Sequence, residues 1–109
     1  MRRIVCSEYG PPDQLSLVED ADLTPRAGGV VVDVAAAGVN FVDALFVAGT
    51  YQIKIPPPFT PGTEFAGTVA AIGEGVEDFA IGDRVLATTF GAYASQVSVA
   101  ASSLIRVPD

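Results

Sequence analysis

Apolar residues recur along this chain in short runs, mostly alternating with polar ones and broken by glycine, proline and acidic turns. Residues 2–7 (Arg-Arg-Ile-Val-Cys-Ser) read as a first strand, ended by the Tyr9-Gly10-Pro11-Pro12-Asp13 turn. Residues 15–19 alternate partly and predict a second, half-buried strand. After the turn at residues 24–29, residues 30–38 begin with β-branched side chains and continue with small ones, which predicts a central strand against which something packs closely. Further strands are predicted at residues 64–72, 84–87, 92–99 and 103–107, with Gly67 marking close backbone approach.

At Asn40 the period changes. Phe41, Leu45 and Ala48, together with Val42, Phe46 and Gly49, recur at three- and four-residue spacing and predict one short helix. Asn40 is a favourable N-cap, Asp43 falls at the third helical position beside the positive helix end, and Gly49 supplies the stop. Capping alone explains Asn40 and Asp43; a chemical role is the other reading, and the residues by themselves leave both open. The prolines at 56–58 and 61 forbid helix and disfavour a central strand, so residues 50–61 form a stiff loop on which Tyr51 and Phe59 are expected to be exposed. Seven short strands and one helix make a mainly β barrel or sandwich.

Composition narrows this picture. A chain of 109 residues and 11.2 kDa holds one domain, with about 5,700 Å² of folded surface by area scaling. Half of the residues are apolar and the mean hydropathy is +0.42, yet no apolar run approaches the roughly 18 residues of a membrane span. Part of the apolar surface is therefore expected to lie under a partner or second domain. Met1-Arg2-Arg3 is followed too soon by Ser7, Glu8 and Asp13 for a signal peptide, and a cytoplasmic location is expected.

Charge and residue types exclude several chemistries. Thirteen acidic residues against six basic ones give a net charge of −7, and only Arg2 and Arg3 stand together, so no phosphate-neutralising patch for nucleic acid can form. One cysteine permits no internal disulfide, and the absence of histidine excludes the common His/Cys zinc sites and any Ser-His-Asp triad. Cys6 reads as a buried apolar filler, and Glu74, Glu77 and Asp78 as a solvated turn. Gly73-Glu74-Gly75-Val76-Glu77-Asp78 comes near the dinucleotide-binding glycine pattern and fails it, because an acid stands in place of the third glycine and no apolar helix follows.

Several spaced motifs carry a resemblance. Gly38-Val39-Asn40-Phe41-Val42-Asp43, Gly49-Thr50-Tyr51, Pro61-Gly62-Thr63-Glu64-Phe65-Ala66-Gly67, Ile72-Gly73, Gly82-Asp83-Arg84-Val85 and Gly91-Ala92-Tyr93-Ala94 stand in one order. The chain resembles the N-terminal, GroES-like domain of the medium-chain dehydrogenase/reductase superfamily, in its zinc-free quinone oxidoreductase (zeta-crystallin-like) branch. The fold implied is a partly open GroES-like β-barrel, mainly β with one or more short helices, over residues 1–109. In zinc-dependent relatives a cysteine stands where this chain has Asn40 and a histidine where it has Thr63; the resemblance implies that no zinc is bound.

The resemblance also implies a function. It points to the substrate-side domain of an NADPH-dependent reductase that transfers hydride to a quinone or enone in a cleft between two domains. Asn40, Asp43 and Thr63 resemble the residues nearest the chemistry, and Asn40 and Tyr51 those that face the cofactor. Leu45 stands where some relatives carry a second tyrosine, and Glu64 is expected to hold the strand entrance rather than act as a base. Gly29 replaces a glutamate common in that turn, a departure with no assigned consequence. A Rossmann domain carrying most cofactor contacts is expected after residue 109, so these residues alone are expected neither to bind NADPH tightly nor to turn over. Other partners implied are a small-molecule substrate and a second copy in a full-length homodimer, with no nucleic acid and no membrane. An enoyl reductase of the same superfamily and a non-catalytic, stand-alone GroES-like binding module remain alternatives, although the stiff Pro56-Pro57-Pro58 loop is unlike the mobile loop of a co-chaperonin.

Overall fold

A computed structural model describes residues 1–108. Two antiparallel sheets make up the fold, and they do not close into one barrel. The smaller pairs β1 (Arg2–Val5) with β2 (Ser16–Glu19), placing Ile4 opposite Leu17. The larger contains β3 (Gly29–Ala37), β4 (Glu64–Ile72), β5 (Arg84–Thr88), β6 (Gln96–Ala100) and β7 (Ile105–Arg106), in the order β6-β3-β4-β5-β7. Between β3 and β4 the chain leaves the sheet to form α1 (Phe41–Ala48) and the proline-rich loop. The mainly β, partly open GroES-like architecture with one α-helix and short 3₁₀ turns is the one expected.

Alternation along the strands builds the main core. Val30 and Val32 on β3, Phe65 and Val69 on β4, and Val85 and Ala87 on β5 are all buried and pack as one cluster. At Gly67 the backbones of β3 and β4 leave no room for a side chain: a Cβ there would collide with the Asp33 carbonyl. The register slips beside it between Val34 and Ala36, where β3 carries one extra residue against β4. A second, smaller cluster gathers Cys6, Phe46, Val47 and Phe59, through which α1 is fixed to the loop. Burying Phe46 and Val47 stabilises the helix by about 1.5–3 kcal/mol each.

Three expectations need correction. The strand predicted at residues 92–99 begins only at Gln96. Upstream of it the chain turns to the small sheet, where Ile4 N–H donates to the Tyr93 carbonyl (2.9 Å) and Ser95 N–H to the Arg2 carbonyl (2.7 Å). Competition from β1, invisible in a local pattern, shortens β6. The last strand is likewise reduced to two residues because residues 101–103 close a 3₁₀ turn. Phe59 is buried rather than exposed, since its backbone pairs with Cys6 (2.8 and 3.1 Å) and carries the ring into the second cluster. Cys6 itself is fully buried, as its reading as a filler requires.

The accessible surface is 6360 Å², about a tenth above the area expected for this mass. Among the described residues, no helix is long and apolar enough to cross a membrane.

Candidate active site

Asn40 sits at the N-cap of α1 in extended backbone (φ −123°, ψ 157°), and Gly49 ends the helix in the left-handed region (φ 72°). The Asn40 N–H donates to Asp43 Oδ2 at 2.8 Å, the carboxylate arm of a capping box. Asp43 is only 5% exposed, and Oδ2 also accepts the Tyr93 hydroxyl at 2.7 Å. Oδ1 is buried without a hydrogen-bond partner. Burial, the hydrogen bond to Asp43 and the charges of Asp43 and Glu64 together push the Tyr93 phenol well above its ordinary value, so it stays a neutral donor at physiological pH.

The side chain of Asn40 is exposed and reaches across to the start of β4. Its Nδ2 donates to Glu64 Oε1 (3.3 Å) and Thr63 Oγ1 (3.5 Å). Glu64 is exposed at the head of β4, where its carboxylate occupies the space a side chain on Gly38 would need. Glu64 and Gly38 also line an open cavity of about 360 Å³ together with residues 36–37, 65–66 and 86–88. A second cavity of about 230 Å³, otherwise walled by Pro12, Leu15, Val39, Ala44 and Val47, is bounded by Asn40, Asp43 and Tyr93. The polar network thus borders both cavities.

Of the residues singled out in the sequence, Asn40, Asp43 and Thr63 come together, with Glu64 beside them. Tyr51 belongs to the neighbouring aromatic cluster, its ring centroid 5.1 Å from that of Phe46. Leu45 is half-buried and offers no polar group. Sequence reasoning missed Tyr93 as a member of the network. Its alternating neighbours marked it as a strand residue, and nothing local connects it to a helix 50 positions earlier. Among the described residues, no cluster of three or more His, Cys, Asp or Glu side chains is placed to hold a metal ion.

A capped helix start facing a strand entrance, at the rim of an open antiparallel sheet, defines a class that the comparisons make explicit. The profile of the alcohol dehydrogenase GroES-like domain matches residues 26–109, and the chain belongs to that family. It is 40% identical over 111 residues to the quinone oxidoreductase of Lama guanicoe, covering 99% of this chain and 34% of that protein. Among solved structures, Escherichia coli quinone oxidoreductase complexed with NADPH matches with a TM-score of 0.90 at 34% identity, over 99% of this chain and 33% of that one. The human synaptic vesicle membrane protein VAT-1 homolog-like protein matches with a TM-score of 0.93 at 33% identity, over 100% of this chain and 36% of that one. The chain therefore spans about a third of the length of the curated relatives it matches.

Proposed function

We propose that this domain forms the substrate-side wall of a cleft in which hydride passes from NADPH to a quinone or enone without a metal ion. The observation that carries the reading is the exposed amide of Asn40, which reaches Glu64 at the rim of an open cavity while the backbone N–H of the same residue is held by the buried Asp43 carboxylate. The relatives named as quinone oxidoreductases, one of them complexed with NADPH, support the same assignment.

The nicotinamide end of the cofactor fits this edge of the domain. The Asn40 bonds of 3.3 and 3.5 Å are long, so the amide exchanges them readily for a carboxamide. Val39 and Phe41, 85% and 81% exposed, offer apolar surface to a ring. The pyrophosphate does not fit here, because the nearest charged groups, Asp43 and Glu64, would repel it. Those contacts fall to the Rossmann domain expected beyond residue 109.

NADPH, when bound, supplies the hydride. This chain orients and polarises the acceptor: the Asn40 amide and the Thr63 hydroxyl donate to its carbonyl oxygen as negative charge develops there. Asp43, buried beneath, does not touch the acceptor and acts by holding Asn40. Tyr51, backed by Phe46, continues the wall.

The test is NADPH oxidation by the complete reductase with a naphthoquinone and, separately, with a 2-enoyl thioester, alongside metal analysis. Quinone reduction without stoichiometric zinc is expected. Preference for the thioester would reassign the domain to an enoyl reductase, and no oxidation with either would leave a binding module.

A further inference from the structure

We infer that Tyr93 is a positioning residue for Asn40, acting through Asp43, and that it fixes the backbone at position 40 from which the Asn40 amide extends. The inference rests on the proposed cleft role of Asn40. Tyr93 has one hydroxyl proton and two acceptors within reach, Asp43 Oδ2 at 2.7 Å and the Gly38 carbonyl at 3.2 Å. The shorter, charge-assisted bond takes the proton. Both donors to Asp43, the Tyr93 hydroxyl and the Asn40 N–H, then converge on one carboxylate oxygen, while the other has none.

That asymmetry makes the tyrosine decisive. Without the hydroxyl, the Asn40 N–H alone restrains the carboxylate, which then rocks about its last torsion and holds Asn40 less firmly. Tyr93 is itself well fixed. Its N–H donates to the Pro61 carbonyl at 3.0 Å, and its carbonyl accepts the Ile4 N–H at 2.9 Å. Gly62, in the left-handed region at φ 102°, leaves room for the ring, since a Cβ there would collide with it. A rigid point between the two sheets is thereby linked through two hydrogen bonds to the exposed end of α1. The residues on either side of Asn40 have no comparable anchor: Val39 and Phe41 are almost fully exposed.

The experiment is nuclear magnetic resonance on the 109-residue chain with Tyr93→Phe, which keeps the ring, and Asp43→Asn, which keeps the shape. In Tyr93→Phe the Asn40 backbone N–H should move upfield and exchange with solvent about tenfold faster, and its side-chain amide signals should shift, while the Phe46 and Gly49 amides stay in place. The double variant should displace Asn40 no further than Asp43→Asn alone, because both changes break one chain of contacts. Unchanged Asn40 signals in Tyr93→Phe, uniform loosening of all of α1, or additive effects in the double variant would each overturn the inference. Millimolar NADPH reads the cleft assignment separately. If it fails to shift the Asn40 side-chain signals of the complete reductase, the cleft reading is lost, whereas the positioning claim is decided by the Tyr93→Phe spectrum.

Discussion

The carboxylate of Glu64 fills the space above Gly38 that any larger residue at position 38 would claim, and Gly38 N–H donates to the Glu64 carbonyl at 3.3 Å. The contact ties the end of β3 to the start of β4 just where Asn40 reaches over. The close contacts at Gly38 and Gly67 differ in kind, and their substitutions should differ accordingly.

Gly38→Ala meets only the end of an exposed, flexible side chain, so Glu64 can swing aside at a cost of about 1 kcal/mol or less. Gly67→Ala meets the Asp33 backbone carbonyl, which cannot yield without breaking the β3–β4 ladder, and should cost about 3 kcal/mol or more. Urea denaturation of the two variants checks the order. Equal losses would mean that Gly67 is not at a close crossing.

Tyr93 predicts a loss of stability in alkali. Its folded value is raised above the ordinary 10.0, so its contribution is complete below that pH and disappears as pH rises above it, when the unfolded chain ionises and the folded one resists. Tyr93→Phe should cost about 1–2 kcal/mol at neutral pH, and the deficit should shrink above pH 10. Thermal unfolding followed from neutral to alkaline pH, with tyrosinate absorbance read alongside, measures both. A deficit independent of pH would contradict the hydrogen bond to Asp43.

Asp83 predicts the opposite dependence. Its carboxyl is held below the ordinary 3.8 by the Ala80 N–H and then by Arg106, whose guanidinium donates to it at 2.7 Å. The stabilisation is present above that pH and is lost as pH falls through the lowered value. Asp83→Asn should lower the melting temperature near neutral pH by a few degrees at most, since the pair is exposed, and the difference should vanish in strong acid. A difference that grows on acidification would reverse the sign and refute the pairing.

Much of this fold is legible locally, and the exceptions share a cause. The limits of α1 follow from Asn40 and Gly49, and those of β4 from the Pro61-Gly62 turn and Gly73, because caps and breakers act within a few residues. The start of β6 is settled instead by hydrogen bonds to β1, and the burial of Phe59 by pairing with Cys6, both contacts between distant parts of the chain. The site divides in the same way. Asn40 and Asp43 announce themselves through capping, and Thr63 through its place in a family motif. The Tyr93–Asp43 bond and the Asn40–Glu64 reach arise only once the sheets assemble. Capping and a cleft role for Asn40 are compatible, because its backbone N–H serves the helix while its amide faces outward.

The most direct test of the central claim is the kcat/KM of the complete reductase for NADPH-dependent quinone reduction after Asn40→Ser, a substitution that retains a favourable helix cap. Loss of the amide donor should lower kcat/KM by about a hundredfold with little change in melting temperature. A value equal to that of the unmodified enzyme would show that the amide at the start of α1 does not face the reacting carbonyl.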